Sequence, residues 1–158
     1  MTVRIEILAA KKIVGKRVFM TLTDNRTGEL WKSFMPLRHT IKNAIGRELF
    51  SIQIFKNAFA YNNPNEVFEK WAGVQVTDFV TIPPGIDTLV IPDGLYAVFL
   101  YKGSSAEGAK VFDYIFRTWL PSTQYDIDNR PHFELLGEKY KNNDPGSEEE
   151  IWIPIKHK

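Results

Sequence analysis

The sequence contains no cysteine. Disulfides, thiolate metal sites and a cysteine nucleophile are therefore excluded. It also lacks a charge excess: 20 Lys and Arg oppose 19 Asp and Glu, leaving +1. A nucleic-acid-binding surface ordinarily carries a basic surplus, so no direct nucleic-acid partner is expected. A basic cluster near the start (Lys11, Lys12, Lys16, Arg17) and an acidic run near the end (Glu148, Glu149, Glu150) read as solvated faces. No apolar stretch approaches the roughly 20 residues of a membrane helix. The opening MTVRIEILAAKK lacks the apolar run of a signal peptide. The chain therefore reads as cytoplasmic, without a membrane partner.

Sharper chemical motifs are missing too. Gly103 to Lys110 follows a strand and precedes a helix, as a phosphate loop does. Its Gly-Lys-Ser/Thr ending is absent, since Ala109 and Val111 flank Lys110. His132 and Glu134 share one strand face, as in a zinc deaminase, but the Cys pair of that site cannot exist here. Only His39, His132 and His157 are available as imidazole ligands, so no metal and no cofactor is expected. No Gly-x-Ser-x-Gly elbow marks a serine hydrolase.

What the sequence does have is 158 residues, 44% of them apolar and an ample 13% aromatic. That is enough to bury a sizeable core. Arg17 to Thr23 is rich in β-branched and aromatic residues and reads as a strand. Leu30, Phe34, Leu37 and Ile41 then recur at helical spacing, with Pro36 expected to kink the helix or start a new turn. Phe50–Phe55 and Trp71–Val76 read as strands, separated by an Asn-rich loop at Tyr61–Asn65. The second half repeats this order. Leu95–Tyr101 is a strand, and Gly103, Ser104 and Ser105 form a turn with serine N-caps on offer. Val111, Phe112, Ile115, Phe116 and Trp119 form a helical face closed by Pro121. His132–Tyr140 and Glu150–Ile155 are the last strands.

Each half is thus strand, helix, strand, strand. The offset from Arg17 to Leu95 is 78 residues, close to half the chain. The expected fold is α+β: two β-α-β-β repeats, roughly 1–80 and 81–158, related by pseudo-twofold symmetry within one domain spanning 1–158. They would share an antiparallel sheet with both helices on one face and a ligand groove between them.

The stretch from Ile91 to Phe99 (IPDGLYAVF), followed by Gly103, resembles the GyrI-like small-molecule-binding family. The resemblance continues through Trp119-Leu-Pro-Ser122, Tyr125, Arg130-Pro-His-Phe-Glu134 and Ile151-Trp-Ile-Pro-Ile155. The first half follows more loosely, through Leu30-Trp31 and Ala72-Gly-Val74. This family supplies effector-binding domains of drug-responsive bacterial regulators and also free-standing proteins. Its implied fold is the doubled β-α-β-β unit already read from the pattern.

The resemblance implies capture of lipophilic, cationic or planar molecules, with a buried glutamate at the position of Glu134. A carboxylate in an apolar groove is tolerated when protonated, hydrogen-bonded or met by a cation. Where the family has Phe-Glu-x-Tyr, this chain has Leu136 in place of the tyrosine. Trp119, Tyr96, Trp71, Phe34, Trp31 and Phe112 are the aromatic candidates for the lining, although core packing accounts for each taken singly. Tyr114 cannot share the groove squarely with Phe112. The chain shows no helix-turn-helix segment, so it is not expected to be a transcription factor by itself; sequestering is one role open to it. Two alternatives come with the resemblance. One is hydrolysis of strained cyclopropane-bearing compounds with Glu134 as the catalytic residue. The other is interaction with a protein partner such as DNA gyrase.

Overall fold

The computed structural model describes residues 1–58, 63–141 and 144–158. Its strands are β1 (Thr2–Leu8), β2 (Lys11–Met20), β3 (Leu49–Ile54), β4 (Phe68–Val76), β5 (Asp87–Ile91), β6 (Gly94–Lys102), β7 (Tyr125–Ile127), β8 (His132–Leu136) and β9 (Glu148–His157). The helices are α1 (Thr27–Phe34) and α2 (Gly108–Tyr114). Eight strands run side by side in the order β1-β6-β9-β8-β3-β4-β2-β5, every pairing antiparallel, and β7 adds to β9.

Local chemistry sets the helix boundaries. Asn25 accepts the Thr27 N–H and opens α1, which buries Leu30 and Phe34. Pro36 has no N–H to continue the ladder, and the chain tightens into a 3₁₀ segment at Met35–Thr40. The predicted break at Pro36 is therefore where the helix changes. Before α2, Glu107 rather than a serine holds the N-cap position, after a 3₁₀ turn at Ser105–Glu107. Past Tyr114 the helix widens into a π turn, Ile115–Trp119, and Pro121 sits in the closing 3₁₀ turn Leu120–Ser122.

Several boundaries move from those read in the sequence. The first-half strand begins at Lys11 rather than Arg17, and the strand at His132 ends at Leu136 rather than Tyr140. Three strands, β1, β5 and β7, add to those expected from the sequence. Residues Tyr61 and Asn62 of the Asn-rich loop lie outside the described residues.

The repeat is real but its step is 81 residues, not 78. Arg17 faces Trp71 across β2 and β4, as Val98 faces Trp152 across β6 and β9. Ile52 faces Trp71 as Phe133 faces Trp152. Gly15 faces Asp87 of β5 as Tyr96 faces Glu6 of β1. One step of 81 carries each first-half position onto its mate, and it carries Thr27 at the start of α1 onto Gly108 at the start of α2. Each half therefore uses the other half's stray strand at its edge. The central ladder, β3 against β8, pairs Ile52 with Phe133. These two are mates under the same step, so the pseudo-twofold axis passes between them.

Both helices cover one face. Under α1 lie Val14, Ala72 and Val74; under α2 lie Phe99, Ile151 and Ile153. The opposite face carries a single aromatic core that includes Trp71, Tyr96, Phe133 and Trp152. Leu8 of β1 and Ile91 of β5, at opposite ends of the strand order, both join it. The sheet must therefore curl until its two edges meet around this core. Phe133 stacks on Trp152 at 5.2 Å and meets Tyr96 edge-on at 5.5 Å. Each half braces its tryptophan alike. Trp71 donates to Glu69 at 2.6 Å, with Arg17 on the same carboxylate and over the ring. Trp152 donates to Glu150 at 3.1 Å, with Arg4 placed likewise.

Candidate functional site

Side chains alternate across a strand, so the register decides which residues meet. Gln53 is paired with Lys70 on one side and His132 on the other. Ser51 is paired with Glu134. All of these side chains emerge on the helix-covered face, at the pseudo-twofold axis between the two helical cores.

A cavity of about 530 Å³ opens there, a size suited to a small organic ligand. Its floor is Gln53, Lys70, His132 and Glu134. Its apolar walls include Met20, Phe55, Phe68, Phe112 and Phe116. Asp113 and Arg117 of the α2 segment stand at one side, and Asn25 and Thr27, at the start of α1, at another. Phe112 and Phe116 stack at 6.3 Å with planes 15° apart, one turn from each other on α2 and its π extension.

The Glu134 side chain is 14% exposed. Gln53 Nε2 donates to its Oε2 at 3.1 Å. Lys70 Nζ stands 3.9 Å from the same oxygen, too far for a hydrogen bond, and its side chain is only 9% exposed. Burial pushes the Lys70 ammonium below its ordinary pKa, opposed by the charges of Glu134 and Glu149. Glu149 of β9 extends the charged row. Burial, with the nearby Glu134 charge, raises its carboxyl to about 7, and Lys70 partly offsets this. Burial lowers the His132 imidazole to about 3, with Arg130 acting in the same direction, so it is neutral at pH 7. Phe55 and Phe116 pack on the His132 ring at 5.0 and 6.2 Å.

Of the ligand-binding candidates from the sequence, Glu134 and Phe112 meet at this cavity, beside His132, which the sequence offered only as a metal ligand. The others lie elsewhere. Trp71 and Tyr96 point into the aromatic core on the far face of the sheet. Tyr96 donates there to the Pro131 carbonyl at 2.8 Å, beneath the Arg130 guanidinium. Phe34 is fully buried under α1, with Trp31 edge-on to it at 6.1 Å. Trp119 packs edge-on against Phe99 at 5.0 Å, under α2. Tyr114 faces a separate hollow beside β6. Lys70, Gln53, Phe68 and Phe116 went unassigned in the sequence. Phe68, Lys70, Ala72 and Val74 are alternate residues of one strand, and that parity is the signal that could have placed Lys70 inward.

Among the described residues no group of three or more His, Asp or Glu could hold a metal ion. No helix of the described residues is long and apolar enough to cross a membrane.

The profile of the GyrI-like small molecule binding domain matches residues 1–156. The chain belongs to the GyrI-like family. The transcriptional regulator BrlR of Pseudomonas aeruginosa is 27% identical over 156 residues. That match takes in 98% of this chain and 56% of BrlR, so the GyrI-like chain spans about half the length of the relative. The C-terminal domain of EcmrR shares the fold at a TM-score of 0.71 and 17% identity, covering 99% of this chain and 98% of that one. SAV2435, solved with bound tetraphenylphosphonium, shares it at 0.66 and 15% identity, covering 99% and 94%. The doubled α+β architecture is thus that of the GyrI-like fold.

Proposed function

We propose that this GyrI-like domain captures lipophilic organic cations in the cavity over β3, β4 and β8, with Glu134 as the counter-charge. The observation that carries this reading is a mostly buried carboxylate on the floor of an apolar cavity walled by Phe55, Phe68, Phe112 and Phe116. In such surroundings the attraction between carboxylate and cation is far less screened than in water. Ring faces add cation–π attraction, and their area supplies the hydrophobic part. The cation bound by SAV2435, a protein of the same fold, is of this chemical class.

Titration with tetraphenylphosphonium, followed by calorimetry, tests the reading. Glu134→Gln keeps the shape and removes the charge, and is expected to weaken binding at least about tenfold. Equal affinity in the two proteins refutes the role of Glu134. Hydrolysis of strained rings and docking on gyrase remain second readings, and no residue of the cavity favours either over capture.

A further inference from the structure

The counter-charge in this cavity already faces a cation of the protein's own. Lys70 lies on the same floor as Glu134, 3.9 Å from its Oε2, and both side chains are largely buried. A second monocation entering beside them would leave two positive charges against Glu134 and a Glu149 carboxyl that is only partly ionised near pH 7, in a poorly solvated space. That arrangement is strongly disfavoured. The gap of 3.9 Å also means that no ammonium–carboxylate hydrogen bond has to be broken for the charge on Lys70 to be given up.

We propose that Lys70 is the charge gate of this cavity: an organic monocation binds against Glu134 as the Lys70 ammonium loses its proton to solvent, so that cation uptake is an exchange for H⁺. The inference rests on the capture reading above. The exchange is balanced, since one positive charge enters with the ligand, one leaves as a proton, and Lys70 stays in place as a neutral amine. The lowered basicity of Lys70 already points in this direction.

Other titratable groups share the neighbourhood. On β8 these are Glu134 and His132, the latter already neutral at pH 7. Glu149 comes from β9, Asp113 and Arg117 from the α2 segment, and Tyr140 from the turn after β8. β3 contributes the uncharged Gln53, and the neighbouring β2 positions Val18 and Met20 do not titrate. Among the described groups of this neighbourhood, Glu149 is the rival source of a released proton near pH 7.

The test is calorimetric titration with tetraphenylphosphonium at pH 7 in two buffers of different ionisation enthalpy, which counts protons released on binding. Wild type, Lys70→Met, Lys70→Gln and Glu149→Gln are compared. Release of a substantial fraction of one proton is expected from wild type and from Glu149→Gln, and none from either Lys70 variant. Both Lys70 variants are expected to bind at least about tenfold more tightly than wild type, since a like charge has left a poorly screened site. No release from wild type overturns the exchange. So does release that persists without Lys70 and disappears without Glu149. If the Lys70 variants bind no more tightly than wild type, the gate falls while capture stands. If no protein in the set binds the cation, capture and gate fall together. Binding by the Lys70 variants alone supports both.

Discussion

Glu149 should make the folded protein less stable as the pH rises, and Glu149→Gln should remove that loss. Its carboxyl rises from an ordinary 4.5 to about 7 on folding, through burial first and the charge of Glu134 second. Between these values the folded chain holds a proton that the unfolded chain has released. Stability from this group is therefore complete below about pH 4.5 and is lost as the pH climbs through 7. The full difference is about 3 kcal/mol, at about 1.4 kcal/mol per pH unit. The side chain is half-buried, so solvent screening reduces this to about 2 kcal/mol. Glutamine cannot ionise, so Glu149→Gln should gain about 2 kcal/mol over wild type at pH 8.5. The gain should shrink to within about 0.5 kcal/mol at pH 5. In melting temperature the gain at pH 8.5 is about 4–8 °C for a chain of this size. Urea unfolding of both proteins at the two pH values measures it, and the remaining carboxylates cancel in the difference. An equal effect at both pH values, or a less stable variant at pH 8.5, refutes the placement of Glu149 in the charged row.

Two further substitutions test the scaffold. Gly94 has φ 153°, and a side chain there would run into the Arg130 guanidinium. That guanidinium is pinned by Asp128 at 2.7 Å and by the Leu95 and Ile155 carbonyls at 2.6 and 3.0 Å. Gly94→Ala should therefore cost more than about 1 kcal/mol in chemical denaturation, and a neutral result would refute the rigidity of this corner. Phe133 is 1% exposed among Phe50, Tyr96 and Trp152. Phe133→Ala should lose about 3–5 kcal/mol by the same assay, and a loss under about 1 kcal/mol would refute a close-packed curled core.

The strongest strands and both helices were legible in the sequence because their apolar residues are dense and periodic. β6 carries Leu95 to Tyr101 almost without a polar interruption, as a strand buried on both faces does. β1 and β5 escaped notice because they are edge strands with mostly exposed side chains, and β7 has only three residues. The site was half legible. Glu134 and Phe112 meet at the cavity, but Trp71 and Tyr96 fall on the far face. Aromatic content says that a residue is buried and leaves open on which face. Parity settles the face only when one side of a strand is polar. In β4, Lys70 shares its parity with Phe68, Ala72, Val74 and Val76, against Glu69, Trp71, Gly73 and Gln75, so the pattern groups Lys70 with an apolar set but does not say which face that set covers. The registers of β3 with β4 and β8 supply what the pattern lacks.

The pseudo-twofold axis explains why the polar residues of the site are where they are. Any residue on the floor recurs 81 positions away, just across the axis. A glutamate at both copies would set two carboxylates against each other in a poorly solvated space, and one would have to stay protonated. Here the mate of Glu134 is Gln53, which keeps the hydrogen bond, at 3.1 Å, and drops the charge. The mate of Lys70 is Ile151, and the mate of Phe68 is Glu149. The two halves thus agree on the far face in the Glu-x-Trp brace, with the arginine drawn from β2 in one half and from the edge strand β1 in the other. They disagree on the helix-covered face at the positions that carry charge. A ligand with one charge needs one counter-charge, so a site on the axis of a doubled fold works only where the doubling is broken. Glu134→Gln together with Gln53→Glu moves the carboxylate to the mate position. Since Gln53 is the direct strand neighbour of Lys70, the moved charge should pair with that ammonium more closely, and tetraphenylphosphonium should bind less tightly than to wild type. Unchanged affinity in the swapped protein would show that the position of the charge relative to Lys70 does not govern capture.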